Sequence, residues 1–131
     1  MASPEFGPAI VSFITDHVRS LDELQLLMAI IQSDDRWWDT PTAAREFGMT
    51  TATARAALDR FAAGNLLDIR ITDDVRYQFR PGTDELRDAA RGALDAYRRH
   101  PIAVARLVPR EPSRRIADFA DAFRIRRDDD G

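Results

Sequence analysis

Apolar side chains recur at helical spacing through most of this 131-residue chain and at strand spacing in one stretch. A repeat of three and four residues marks one face of an α-helix, whereas strict alternation marks a half-buried strand. The helical repeat predicts α-helices over residues 8–19, 21–32, 41–47, 51–63 and 83–100, with a short helical stretch at 101–108. A last predicted helix follows Ser113 and carries an apolar stripe made of Ile116, Phe119, Ala120 and Phe123.

The alternating stretch predicts a β-hairpin. Its two runs are separated by the polar turn Thr72–Asp73–Asp74, an arrangement typical of two antiparallel strands. In the first run Leu67, Ile69 and Ile71 are expected to point one way and Asp68 and Arg70 the other. In the second run Val75, Tyr77 and Phe79 alternate against Arg76, Gln78 and Arg80. A further short strand is predicted at residues 36–39. Its two tryptophans are interpreted as core and hinge packing or, alternatively, as a surface for a ligand or partner.

Residues that begin and end helices agree with these boundaries. Ser20 and Glu23 form a predicted capping box, in which the hydroxyl and the carboxylate cover backbone N–H groups. Thr40 is expected to cap the helix that follows it. Gly48 stands where a helix ends in the left-handed conformation, and Thr50 then caps the next helix. Two helices joined by so short a turn are typical of a helix-turn-helix.

The run F-G-M-T-T-A-T-A-R-A-A-L-D-R-F-A-A-G-N-L-L, residues 47–67, closely resembles the second and third helices of bacterial winged-helix transcriptional regulators. The resemblance implies a mainly α fold with a small β-hairpin wing. It places a winged helix-turn-helix over residues 20–82, with an N-terminal helical extension at 1–19 and a C-terminal one at 83–131. It also implies a cytoplasmic, DNA-binding regulator of transcription whose partner is double-stranded DNA.

Candidate DNA contacts lie on the second helix of this motif and on the wing. Threonines at the helix start are suited to a backbone phosphate, and arginines on its flanks and on the hairpin are suited to phosphates or a guanine. The predicted site therefore consists of Thr50, Thr51, Thr53, Arg55, Arg60, Arg70, Arg76 and Arg80.

Other features of the same surface favour a different partner. At about 100° per residue, the side chains that point most directly outward are Ala52, Ala56, Asp59 and Ala63. Regulators resembling this pattern often have a second basic residue at the position of Ala56 and basic residues at the wing tip, where this chain has Asp73 and Asp74. An alanine-rich helix face also suits a protein surface, so a winged-helix protein–protein interaction module is the alternative hypothesis.

Net charge does not decide between these hypotheses. The chain carries a formal charge of −3, and all 19 of its basic residues are arginine. Residues 40–82 hold six arginines against five acids, so the predicted DNA-binding part is less acidic than the first 39 residues but nowhere strongly basic. Nucleic-acid binding would therefore depend on where individual arginines lie rather than on the overall field.

Motifs for catalysis are missing from the sequence. There is no cysteine, and His17 and His100 have no partner at metal-ligand spacing. No nucleophile elbow, phosphate-binding loop or dinucleotide motif occurs. We therefore expect no enzyme activity, no cofactor and no metal. We also expect neither a membrane span nor a secretory signal, because no apolar run approaches about 20 residues and residues 1–10 lack a basic start.

The predicted terminal helices carry more apolar surface than a minimal winged helix requires. Two interpretations are open. The helices either enlarge the core of the monomer or form a homodimer, which would strengthen a weak DNA contact through avidity.

Overall fold

The computed structural model describes residues 6–109. This part of the chain consists of α1 (Pro8–His17), α2 (Leu21–Gln32), β1 (Trp37–Asp39), α3 (Thr40–Phe47), α4 (Thr51–Ala63), β2 (Leu67–Ile71), β3 (Val75–Phe79), α5 (Asp84–Arg99) and α6 (Pro101–Ala105). The fold is thus mainly helical with one small antiparallel sheet, as the apolar pattern predicts. The predicted helix after Ser113 lies outside the described residues.

Helix starts follow the predicted caps, with two corrections. The Ser20 hydroxyl accepts a hydrogen bond from the Glu23 N–H at 3.1 Å, while the Glu23 carboxylate accepts one from the N–H of Arg19 at 2.9 Å. The carboxylate therefore reaches one residue farther back than a standard capping box. Asp39, and not Thr40, caps α3, because its carboxylate accepts from the Thr42 N–H at 2.7 Å and Thr40 is already helical.

Hydrogen bonds from the side chain and from the backbone N–H of Thr42 hold the pKa of Asp39 below its ordinary value. The positive charges of Arg76 and Arg45 act in the same direction. The carboxylate therefore stays charged at the N-terminus of α3, where the helix dipole favours an anion.

The turn between α3 and α4 has the predicted conformation. Gly48 adopts φ 64° and ψ 35°, a left-handed backbone that residues with a Cβ enter at a cost. The N–H of Met49 then bonds to the carbonyl of Ala44 at 3.0 Å, which closes the end of α3. The hydroxyl of Thr50 accepts from the N–H of Thr53 at 3.0 Å and starts α4. The helix-turn-helix geometry is therefore built from local interactions.

The sheet has the strand order β1-β3-β2, and both pairings are antiparallel. The tryptophan strand is thus confirmed, and it pairs with the hairpin. In the register, Tyr77 on the central strand lies between Trp38 of β1 and Ile69 of β2. Because side chains alternate along a strand, these three residues share the face that points toward the helices. Trp38 and Tyr77 are buried in the core, in agreement with the packing interpretation.

Helix α2 runs through the centre of the core. Leu24, Leu26, Leu27, Ile30 and Ile31 are all fully buried, so α2 is covered on more than one side. Helix α1 packs on α5 and buries Phe13 and Ile14. The first terminal helix thus enlarges the core of the monomer. None of the helices between residues 6 and 109 combines the length and the apolar character needed to cross a bilayer.

Candidate nucleic-acid interface

Helix α4 presents one apolar face to the core and a second face to solvent. The predicted stripe of Ala54, Ala57, Leu58 and Phe61 is fully buried. The four residues predicted to point outward, Ala52, Ala56, Asp59 and Ala63, are all exposed. The face that a DNA groove or a protein would meet therefore consists of methyl groups and one carboxylate.

That carboxylate joins the helix to the wing. The Tyr77 hydroxyl donates a hydrogen bond to Asp59 at 2.5 Å, and the guanidinium of Arg55 lies 3.6 Å from the same carboxylate. Burial raises the pKa of Tyr77 to about 12, and the bond and negative charge of Asp59 add to the effect. The phenol thus stays protonated and fixes the hairpin against α4. This contact spans 18 positions in sequence, and no local pattern points to it.

The predicted threonines gather at the N-terminus of α4. All three are exposed, but Thr50 already serves the helix: its hydroxyl accepts the Thr53 N–H and donates to the Thr53 hydroxyl at 2.9 Å. Thr51 adjoins them, and Arg55 follows one turn later with its side chain 61% exposed. The structure therefore brings Thr50, Thr51, Thr53 and Arg55 onto one end of the helix.

Arg60 lies on a different side of α4. Its guanidinium pairs with the carboxylate of Glu23 on α2, and the two side chains are 26% and 11% exposed. The pair connects α4 to the central helix through a hydrogen bond between charged groups. Arg60 is therefore separated from the arginines that face solvent.

The wing arginines occupy the hairpin face opposite Tyr77. Arg70 and Arg76 are direct partners in the register, so they lie side by side. Like charges in such a position repel each other. The Arg70 guanidinium stacks over the ring of Trp37 at 4.4 Å, whereas Arg76 bonds to Asp74 at 3.1 Å. Trp37 thus holds an arginine on the outer face of the sheet, a role that the sequence pattern did not indicate.

Arg80 lies just beyond the end of β3. Its guanidinium donates to the side-chain carbonyl of Gln78 at 2.9 Å and lies 3.9 Å from the carboxylate of Asp68. The Gln78 amide in turn donates to the backbone carbonyl of Asp35 at 2.8 Å. Arg80 therefore belongs to a polar network at the base of the hairpin.

The other face of the wing becomes exposed toward its tip. Leu67 is 7% exposed at the base, Ile69 is 43% exposed and Ile71 is 74% exposed. The predicted shared face of these three residues agrees with the register, but only Leu67 is covered on that face. The hairpin extends past the helices that cover its base, and β2 is an edge strand without a neighbour on its outer side within the described residues. Alternation fixes the face but not how far the covering helices reach.

Most of these arginines lie close to a carboxylate. Arg55, Arg76 and Arg80 each lie within 4 Å of an aspartate, and all of these side chains are at least 45% exposed. Exposed ion pairs of this kind stabilise a protein by only about 0–1 kcal/mol. A phosphate could therefore replace the aspartate at small cost, although the aspartates lower the local potential.

The His17 side chain is part of the packing of α1. The Nδ1 atom of His17 lies 2.9 Å from the carbonyl of Phe13, one turn earlier in α1. Among residues 6–109, no three histidine, cysteine, aspartate or glutamate side chains are grouped so that they could hold a metal ion.

Comparison with known proteins gives similarity in fold. A scan against protein families finds no match, and a search of curated proteins finds none either. Among solved structures, the chain is similar to a possible transcriptional regulator from Methanosarcina mazei Go1. The TM-score is 0.51 at 12% identity, over 76% of this chain and 91% of that one.

The chain is also similar to RV1404 from Mycobacterium tuberculosis, with a TM-score of 0.50 at 16% identity. This match covers 86% of the present chain and 78% of the other. At such identities the likeness concerns the fold alone. The chain therefore shares its overall fold with these two proteins.

Proposed function

We propose that this chain is a cytoplasmic bacterial winged-helix protein that binds double-stranded DNA and regulates transcription. In this proposal α4 enters the major groove, with Thr50, Thr51, Thr53 and Arg55 nearest the DNA. Arg70, Arg76 and Arg80 contact the phosphate backbone from the wing. The similarity in fold to a possible transcriptional regulator supports this function.

The observation that carries the proposal is the placement of exposed arginines on two connected elements. The bond between Tyr77 and Asp59 holds the hairpin beside α4, so Arg55 and Arg76 keep a fixed relation to each other. Two cationic side chains at a fixed spacing can contact two phosphates without ordering a flexible loop first. Arg60 as a backbone contact stays a prediction, and it requires Arg60 to leave Glu23.

Fluorescence anisotropy on a random duplex at two salt concentrations tests the proposal. We expect affinity to fall steeply with salt, because each neutralised phosphate adds about −0.9 to the logarithmic slope. The double variant Arg55→Ala with Arg76→Ala is expected to lose measurable DNA binding while its circular dichroism spectrum stays unchanged. An unaltered affinity in this variant would contradict the assigned surface.

A matched control comes from α5. Arg99 pairs with Asp95 at i,i+4 spacing, as Arg55 does with Asp59, and Arg91 forms an exposed pair with Asp34, as Arg76 does with Asp74. The variant Arg99→Ala with Arg91→Ala removes the same charge from another surface. Its DNA affinity should stay close to that of the unmodified chain. An equal loss in both variants would indicate a general charge effect.

A protein-docking module is the second candidate function, and the exposed isoleucines of the wing favour it. Ile69 is the register partner of Tyr77, which bonds to Asp59 on α4, and Ile71 lies on the same face nearer the hairpin turn. Large exposed apolar side chains suit an apolar protein partner. Absence of DNA binding even at low salt, together with a salt-tolerant complex that Ile71→Glu disrupts, would favour this candidate over the first.

A homodimer is a separate proposal; because α1 packs on α5 of its own chain, the dimer contact would use the surface that this packing leaves exposed. Two copies on one duplex would strengthen a contact that is weak for a single copy. The mass in solution, measured by light scattering with and without duplex, tests it. A monomeric mass under both conditions would show that avidity between two copies does not contribute to DNA binding.

A further inference from the structure

A groove of about 460 Å³ lies between α2 and α5, away from the residues assigned to DNA. Its apolar lining comes from four helices and consists of Met28, Ala29, Phe47, Leu94, Tyr97 and Pro101. Its volume falls within the range of about 300–1,000 Å³ that is common for ligand sites. The molecule therefore has a second concave surface.

Part of the groove wall is apolar surface that faces solvent. Met28 and Leu94 are 2% and 8% exposed, but Phe47, Tyr97 and Ala29 are only half-buried. Gln25 and Gln32 stand exposed among the lining residues and give the groove a polar rim. An apolar floor with a polar rim suits the apolar stripe of an amphipathic helix.

The chain itself supplies such a stripe shortly after α6. The described residues end at Pro109, shortly after α6, and Pro101 at the start of α6 lines the groove. Of the 22 residues that follow, Ile116, Phe119, Ala120 and Phe123 share one predicted helical face. The six residues 110–115 span up to about 20 Å. A tether this short gives a local concentration in the millimolar range.

We propose that residues 113–123 dock as an amphipathic helix into the groove between α2 and α5 of the same chain. The apolar stripe covers Phe47 and Tyr97, while Asp118 and Asp121 face solvent. This inference goes beyond the proposed function and does not depend on DNA binding.

Docking at this place would affect the helix-turn-helix. Phe47 is the last residue of α3 and precedes Gly48, the left-handed residue of the turn. Its ring lies 6.2 Å from that of Trp38, which pairs with Tyr77 across the sheet. A helix packed on Phe47 would therefore restrict the turn that sets the angle between α3 and α4.

Cross-linking of the full-length chain tests the proposal, and the absence of native cysteine leaves only the introduced thiols to react. Gln25→Cys on the groove rim is combined with Ala122→Cys in the segment, and a short bis-maleimide is added to dilute protein. We expect an intramolecular cross-link as the main product. The control pair joins Thr72→Cys at the exposed hairpin turn to the same Ala122→Cys, and we expect roughly tenfold less product from it.

Two sets of variants separate docking from chance contact. Phe119→Asp with Phe123→Asp should lower the yield of the Gln25→Cys and Ala122→Cys pair by roughly tenfold, because the apolar contact is lost. Asp118→Ala with Asp121→Ala, on the opposite side of the predicted stripe, should leave the yield unchanged. Tyr97→Glu changes the groove instead of the segment and should also reduce the yield.

Three results would overturn the proposal. Equal yields from the groove pair and the hairpin pair would mean that the segment has no preferred site. A cross-link yield that is unchanged by Phe119→Asp with Phe123→Asp would mean that the stripe makes no contact with the groove. Cross-links that join two chains, and rise with protein concentration, would place the segment on a second copy. DNA affinity is not a readout in any of these experiments, so their failure is distinguishable from failure of the proposed function.

Discussion

Helix α4 and the hairpin that follows it each have an apolar stripe in the sequence, but the two stripes differ in how far they are buried in the structure. All four stripe residues of α4 are fully buried. In the hairpin, burial decreases from Leu67 at the base to Ile71 at the tip. Both patterns identify the correct face, but only the helix buries the whole of it.

The difference follows from what lies beneath each element. Helix α4 packs on α3 and on β2, and each residue of its stripe is 0% exposed. The hairpin pairs with β1 only through residues 76–78 of β3, and β2 has no partner on its outer side within residues 6–109. Periodicity describes the element alone, whereas burial depends on the reach of its neighbours. The exposed part of the hairpin is therefore where a partner can act.

The largest expected effect concerns the buried stripe of α4. Phe61→Ala removes an aromatic side chain that is 0% exposed and leaves a cavity. We expect the free energy of unfolding to fall by about 3–5 kcal/mol, measured by urea denaturation. A loss below about 1 kcal/mol would show that the stripe of α4 contributes little to the core, and the contrast with the hairpin would fail.

The second prediction tests the bond that joins the two regions. Tyr77→Phe removes the hydroxyl that donates to Asp59 but keeps the ring in the core. We expect a loss of about 1–2 kcal/mol, because a hydrogen bond to a charged group contributes about 1.5–3 kcal/mol and the half-exposed Asp59 regains some hydration by water. Asp59→Ala, which removes the acceptor, is the companion variant, and an effect in only one of the two variants would argue against a shared bond.

This bond also predicts a dependence on pH. The folded chain raises the pKa of Tyr77 from 10.0 to about 12, so it favours the protonated phenol. The resulting stability is fully present below the unfolded pKa and is lost as pH rises through the folded value, that is, from about pH 10 to 12. The advantage of the unmodified chain over Tyr77→Phe should therefore disappear across that window. A constant advantage would contradict the assigned pKa shift.

Local chemistry explains which parts of the fold were predictable. The bounds of α4 and of both hairpin strands follow from Gly48, Thr50 and the polar turn at residues 72–74, because caps and turns act over a few positions. The cap of α3 was assigned one residue late, since Asp39 and Thr40 are both good caps and only the helix geometry separates them.

The candidate site was less predictable, because its key contacts are distant in sequence. The outward position of Asp59 was predicted from helical spacing, but its bond to Tyr77 depends on how the hairpin folds back. Arg60 was placed with the DNA contacts because it flanks the apolar stripe. Its pairing with Glu23, 37 positions earlier, depends on how α2 and α4 pack. The apolar periodicity predicts which way a side chain points, whereas tertiary packing determines which residue it contacts.

A comparable effect is expected at the turn between α3 and α4. Gly48→Ala adds a Cβ that meets no atom within 4 Å, so the change acts only through the left-handed backbone at φ 64°. We expect the unfolding free energy to fall by about 1–2 kcal/mol. Gly48→Asn is the matched control, because asparagine enters this conformation more easily and should lose less. Equal losses would mean that something other than φ governs the position.

The smallest effect on stability is expected at the tip of the hairpin, where the apolar stripe is most exposed. Ile71→Thr keeps β-branching and strand preference but removes apolar surface from a side chain that is 74% exposed. The unfolding free energy should stay within about 0.5 kcal/mol of the unmodified value. A loss above about 1 kcal/mol would show that Ile71 is covered in solution. If that loss grows with protein concentration, the cover is a second copy. If the loss does not depend on concentration, the cover belongs to the same chain, and the wing is then not free for DNA or for a protein partner.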